Sequence, residues 1–133
     1  MSETLHIDRV LYSGNGLALS KRGGPVLVPF TLPGETVEAT NSNASNEAQL
    51  LCVLTPSPER VPAPCPHFGA CGGCHYQMAN YPEQLRLKQS IFEELLTGAG
   101  IDAAPEPQMH SAEPWGYRNR IRLRVARTLG GGE

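Results

Sequence analysis

The sequence predicts an all-β, OB-like five-stranded barrel followed by a small α+β segment: a cysteine-rich loop, one helix and the start of an antiparallel sheet. Three observations carry that prediction. Short apolar segments separated by turn residues recur at about ten-residue spacing through residues 1–57, with no helical period. Four prolines fall within residues 56–64, "PSPERVPAP". Three cysteines then follow within ten residues in "CPHFGACGGCHYQ".

The barrel strands are read from "LHIDRVLYSGNG", "LALSKRGG", "PVLVPFTLPG", "ETVEATNSNASN" and "EAQLLCVLTP". Gly14 and Gly16, Gly23 and Gly24, and Pro33-Gly34 supply turn chemistry between them. The Pro-rich stretch should be extended, so residues 58–64 are assigned as a linker between a barrel at 1–57 and a second region at 65–133. In that second region Asn80 suits an N-cap, Pro82 the first turn and Glu83 the positive end of a helix dipole. Leu85, Ile91, Phe92, Leu95 and Leu96 recur at helical spacing and Gly98 is a stop, which predicts a helix over about 81–97. Beyond it, "YRNRIRLRV" alternates strictly, predicting a strand over about 117–127. Arg118, Arg120, Arg122 and Arg124 would lie on one face and Tyr117, Asn119, Ile121, Leu123 and Val125 on the other.

Charge and hydropathy narrow the function classes. No apolar run approaches the ~20 residues of a membrane span, which argues against a membrane protein. The start, "MSETLHIDRV", lacks the basic and apolar stretches of a secretory signal, so a cytoplasmic location is expected. The net charge of −2 does not suggest a nucleic-acid binder, but its distribution does. Five arginines, Arg118, Arg120, Arg122, Arg124 and Arg127, fall within ten positions that hold no acid. Such a row can follow successive phosphates at about 6.6 Å intervals along a strand, or stack on unpaired bases. The bland alternative is a charged edge strand protected against association.

In a reducing compartment, clustered cysteines point to a metal before a disulfide. Cys71 and Cys74 form a Cys-x2-Cys pair whose two intervening glycines let the backbone wrap tightly, and Cys65 brings a third thiol. Thiolates select zinc or iron–sulfur. A Cys3His zinc site would take His67 or His75 as its fourth ligand. An iron–sulfur site needs a fourth cysteine, and Cys52, the only other one, sits in the apolar segment "LLCVL", where a small buried side chain is expected. Both readings stand on the residues alone.

The stretch "PSPERVPAPCPHFGACGGCHYQMANYPEQLRLKQSIFEELL", with "PWGYRNRIRLRV" after it, resembles the N-terminal part of RNA uracil-5-methyltransferases that carry a TRAM domain and a 4Fe-4S cluster. The resemblance covers essentially the whole chain and implies that the barrel is a TRAM domain. It implies that Cys65, Cys71 and Cys74 hold a 4Fe-4S cluster whose fourth cysteine lies beyond Glu133, which would leave the cluster labile in this chain alone. S-adenosylmethionine would be bound by a later methyltransferase domain, in which a cysteine thiolate adds to uracil C6, the enolate takes the methyl group and a base removes the C5 proton. By that resemblance the parent protein is an enzyme and this segment alone is inactive. Its partner would be RNA, ribosomal rather than transfer RNA, with a monomer expected. Two departures are visible: Met78 stands where many relatives have histidine, and "NSNASN" is uncharged where relatives often carry lysine and arginine. A stand-alone RNA-binding module with a structural Cys3His zinc site is the alternative.

Overall fold

The computed structural model describes residues 2–41, 46–101 and 106–122. Five strands form one sheet: β1 (Ser2–Val10), β2 (Gly16–Leu19), β3 (Pro25–Val28), β4 (Thr36–Asn41) and β5 (Ala48–Thr55). All neighbouring pairs are antiparallel, in the order β3-β2-β1-β4-β5. The two ends of that order meet where Leu27 of β3 runs parallel to Glu47, with the Leu27 amide donating to the Asn46 carbonyl at 2.7 Å. The sheet therefore curls into a half-barrel, an arrangement consistent with an OB-like barrel.

Strand alternation builds its interior. Leu5 and Ile7 of β1 turn inward while His6 and Asp8 turn out, and Ala18, Val26, Val28, Val37, Ala39 and Ala48 complete a buried cluster. The register places Ile7 opposite Ala18 and Leu5 opposite Val37, so large side chains meet small ones or β-branched ones across the barrel. Gly16 is required by space. A Cβ there would lie 2.1 Å from Thr31 Oγ1 and 2.9 Å from Ile7 Cγ2. Gly16→Ala should destabilise the fold by about 1–3 kcal/mol, read as a lowered urea midpoint with unchanged slope.

Glu35 ties the barrel to the Pro-rich stretch that follows it. Its side chain is fully buried and accepts from Leu32 N at 2.8 Å, Ser57 N at 3.1 Å and Arg60 Nε at 2.5 Å, with Arg60 Nη2 on its second oxygen at 2.8 Å. Arg60 Nη2 also donates to the carbonyl of Phe30, a residue in the left-handed region at φ 61°. Burial pushes the Glu35 carboxyl up, but the Arg60 hydrogen bonds, the two amides and the Arg60 charge outweigh it and hold it below the ordinary value of 4.5.

The Pro-rich stretch is thus fastened on both sides. Arg60 reaches the barrel, while Val61 N donates to Met78 O at 2.8 Å and Asn80 N to Glu59 O at 3.0 Å. Asn80 then caps α1 (Tyr81–Gly98) by accepting from Glu83 N at 2.9 Å, with Pro82 in the first turn. The nearly buried Glu83 carboxylate is held by Arg86 through two 2.6 Å hydrogen bonds.

The helix buries Leu87 and Ile91, one turn apart, against Val10 and Leu32 of the barrel together with Met78 and Ala79. This second core joins the two regions. Of the expected apolar stripe only Ile91 is buried; Phe92 and Leu95 are about half exposed. The helix meets the barrel along a narrow line, so the inward seam is Leu87–Ile91 and the wider apolar face looks outward. No helix among the described residues is long and apolar enough to cross a membrane.

Of the expected strand at about 117–127, only residues 117–122 are described. Residues 117–122 are irregular backbone. Alternation makes a segment suitable for a sheet, but a strand exists only when another pairs with it, and no described residue does so here. Leu123–Arg127, and with them Arg124, lie outside the described residues, as do residues 42–45 within "NSNASN".

Candidate metal and RNA site

The cysteine loop is built from tight turns. Phe68 N donates to Cys65 O at 3.1 Å and Cys71 N to His67 O at 2.9 Å, while Gly69 and Gly72 take positive φ. Gln77, 9% exposed, closes the loop by accepting from Cys65 N through Oε1 at 3.2 Å. As a result Cys65, Cys71 and Cys74 line one shallow depression of about 30 Å³, together with His67 and Gln77. All three cysteines are free thiols, Cys65 half-buried and the other two exposed. Among the described residues no group of three or more His, Cys, Asp or Glu side chains is gathered tightly enough to hold a metal ion.

The loop is seated on the barrel through His75. Gly14, at φ 87° in the β1–β2 turn, lies so close that a Cβ would approach His75 Nδ1 to 2.8 Å and His75 Cγ to 2.9 Å. His75 therefore packs on the turn and does not line the cysteine depression, which leaves His67 as the histidine beside the thiols. Phe68 adds an edge-to-face contact with Phe30, ring centroids 5.0 Å apart.

Cys52 is exposed, contrary to the burial expected from "LLCVL". The pairing of β4 and β5 shifts register between Glu38 and Ala39, and Cys52 comes to the outer side of the barrel, its Sγ 3.8 Å from Glu38 Oε2. It takes no part in the loop.

Arg118, Arg120 and Arg122 are exposed, and among the described residues none has a carboxylate partner. Arg118 lies over the Tyr117 ring, 5.5 Å from its centroid. This segment runs past the cysteine loop: Trp115, Tyr117 and Arg118 share a pocket of about 330 Å³ with Cys74, Tyr76 and Gln77. The aromatic side of this arrangement has no local signal in the sequence, because Trp115 and Tyr76 come together only when the helix folds the chain back. A tether is visible in Ala112 N, which donates to Tyr81 Oη at 3.4 Å.

No family model matches the chain. It is similar to proteins named as RNA methyltransferases. The 23S rRNA (uracil(1939)-C(5))-methyltransferase RlmD of Legionella pneumophila is 36% identical over 92% of this chain and 28% of its own length. The RlmD of Psychrobacter arcticus is 38% identical over 90% of this chain and 27% of its own length. The 23S rRNA (uracil(747)-C(5))-methyltransferase of Pyrococcus horikoshii is 40% identical over 79% of this chain and 24% of its own length. The chain thus spans about a quarter of the length of the curated relatives it matches.

Proposed function

We propose that this chain is the N-terminal, RNA-binding and iron–sulfur part of an S-adenosylmethionine-dependent RNA uracil-C5 methyltransferase acting on 23S ribosomal RNA. The observation that carries the reading is similarity to proteins of that name over about nine-tenths of the chain, joined to three free thiols on one loop. The chemistry of methyl transfer would belong to the rest of such a protein. This part would bind the RNA and shape its approach.

Cys65, Cys71 and Cys74 would hold the 4Fe-4S cluster. In such a cluster each cysteine binds a different iron, so its thiols need to surround a volume without converging on one point. A single zinc ion instead demands four donors at about 2.0–2.3 Å from one centre. Three thiols spread round a depression, with His75 turned onto Gly14, suit the first requirement better. The cluster would cross-link the loop and fix its place against the barrel. Anaerobic reconstitution of the chain should give bound iron and sulfide in equal amounts and a broad visible absorption. A colourless protein holding one zinc per chain would sink this assignment.

Arg118, Arg120 and Arg122, with Arg124 beyond the described residues, would contact RNA phosphates. Replacing the first three by alanine should weaken binding to single-stranded RNA and reduce the slope of log K against log salt by about 2, at about 0.7 for each phosphate no longer neutralised. An unchanged slope would remove them from the interface.

A further inference from the structure

One pocket beside the cysteine loop holds groups that neither a cluster nor a row of phosphate-binding arginines would use. Its volume of about 330 Å³ is within the range of small-ligand sites. Trp115 and Tyr117, 57% and 69% exposed, form one side. Tyr76 contributes another aromatic surface from the end of the cysteine loop, and Arg118 lines the pocket as well.

Two amides supply the polar pattern. Gln77 uses Oε1 to accept from Cys65 N, and among the described residues its Nε2 has no hydrogen-bond partner, although the residue is nine-tenths buried. Gln84 uses Nε2 to donate to Ala79 O at 3.0 Å, which leaves its Oε1 without a partner among the described residues. Both residues line the pocket. It therefore offers one spare donor and one spare acceptor beside aromatic side chains, with the Arg118 side chain among its lining. A buried amide left half-satisfied costs free energy unless something pairs with it.

We propose that this pocket receives a single unpaired nucleobase of the RNA, stacked on Trp115 and hydrogen-bonded at its edge by Gln77 Nε2 and Gln84 Oε1, with its phosphate at Arg118. A nucleobase is flat, carries both a donor and an acceptor on its edge and comes attached to an anion, so it answers each feature at once. An apolar peptide side chain would cover the rings and leave both amides unpaired. The inference rests on the RNA-binding reading and deepens it. It also gives the cysteine loop a task, since Cys74 and Gln77 belong to both the pocket and the thiol depression: a cross-linked loop would hold the pocket open in one shape.

Trp115 is the only tryptophan of the chain, so its fluorescence reports on the pocket directly. The chain would be titrated with octauridylate and with an abasic ribose-phosphate strand of equal length and charge. Octauridylate should quench Trp115 and bind at least about fivefold more tightly than the abasic strand, the lower end of one stacked base. Trp115→Ala should reduce octauridylate affinity to that of the abasic strand, and Trp115→Phe should retain most of it. Because Trp115 is more than half exposed, both variants should keep the parent circular dichroism and melting temperature. Equal binding of the two strands, or a Trp115→Ala protein that binds octauridylate as the parent does, would overturn the pocket while leaving the arginine row standing. Absence of salt-dependent binding to either strand would overturn the RNA reading and the pocket together.

Discussion

Arg60→Ala should destabilise the chain by about 3 kcal/mol, more than any other single change outside the two apolar cores. The substitution leaves the Glu35 carboxylate fully buried with only the Leu32 and Ser57 amides to hold it. Removing one partner of a buried ion pair costs about 3–5 kcal/mol, and the lower end applies because the Arg60 side chain is 22% exposed. The same change frees the Phe30 carbonyl and unpins the stretch whose next residue, Val61, donates to Met78 O. Loss of the anchor should therefore reach the cysteine loop as well as the barrel.

Acid supplies an independent check. Glu35 is held below 4.5 in the folded chain, so its unfolded form binds a proton first as pH falls. Its contribution is complete above 4.5 and is lost as pH drops through the lower folded value. Urea midpoints should thus be flat above 4.5 as far as this group is concerned and fall below it. The Arg60→Ala protein should show a smaller fall, because the interaction that acid removes is already weakened. Equal acid dependence in the two proteins would show that Glu35 is not the group responsible.

Glu35 also marks what a sequence can and cannot disclose. The barrel strands are legible because alternation is local: Leu5 and Ile7 differ from His6 and Asp8 within four positions. The burial of a glutamate is decided by an arginine 25 positions away in a stretch that reads as a Pro-rich linker. Nothing near either residue announces the pair. The helix is legible through Asn80, Pro82 and Glu83, which act within one turn, whereas its buried seam depends on which barrel residues face it. The described part of the arginine row, Arg118 to Arg122, lies outside any strand for a related reason. Alternation is necessary for a half-buried strand, but residues 117–122 have no pairing neighbour among those described. Cys52 shows the limit of an apolar run, since a register shift between β4 and β5 decides which side of the barrel it meets. For the candidate site, the three thiols are visible as a spacing, and their common depression follows from turns at Gly69 and Gly72 that the glycines themselves suggest. The separation of His67 from His75 depends on the packing of His75 against Gly14, which no local pattern encodes.

Cys71→Ser should lower iron retention by more than about tenfold in anaerobically reconstituted protein, since loss of a ligand exceeds the 10–100-fold effects typical of groups that merely support ligands. The barrel should be untouched. Cys71 is exposed on the loop and takes no part in either buried cluster, so far-UV circular dichroism and the urea midpoint of the metal-free protein should stay within about 0.5 kcal/mol of the parent. Cys52→Ser is the matched control: the same chemistry is altered in the same chain, but on β5, where the thiol faces Glu38. It should retain iron as the parent does. Gln77→Ala lies between them. It removes the side chain that holds Cys65 N, so the loop loses the strut that sets its first thiol, and iron should be retained less firmly with all three cysteines intact. Equal losses from Cys71→Ser and Cys52→Ser would mean that iron binds this chain through exposed thiols without regard to the loop. The ordered series, parent and Cys52→Ser above Gln77→Ala and Gln77→Ala above Cys71→Ser, is the result that a built site requires.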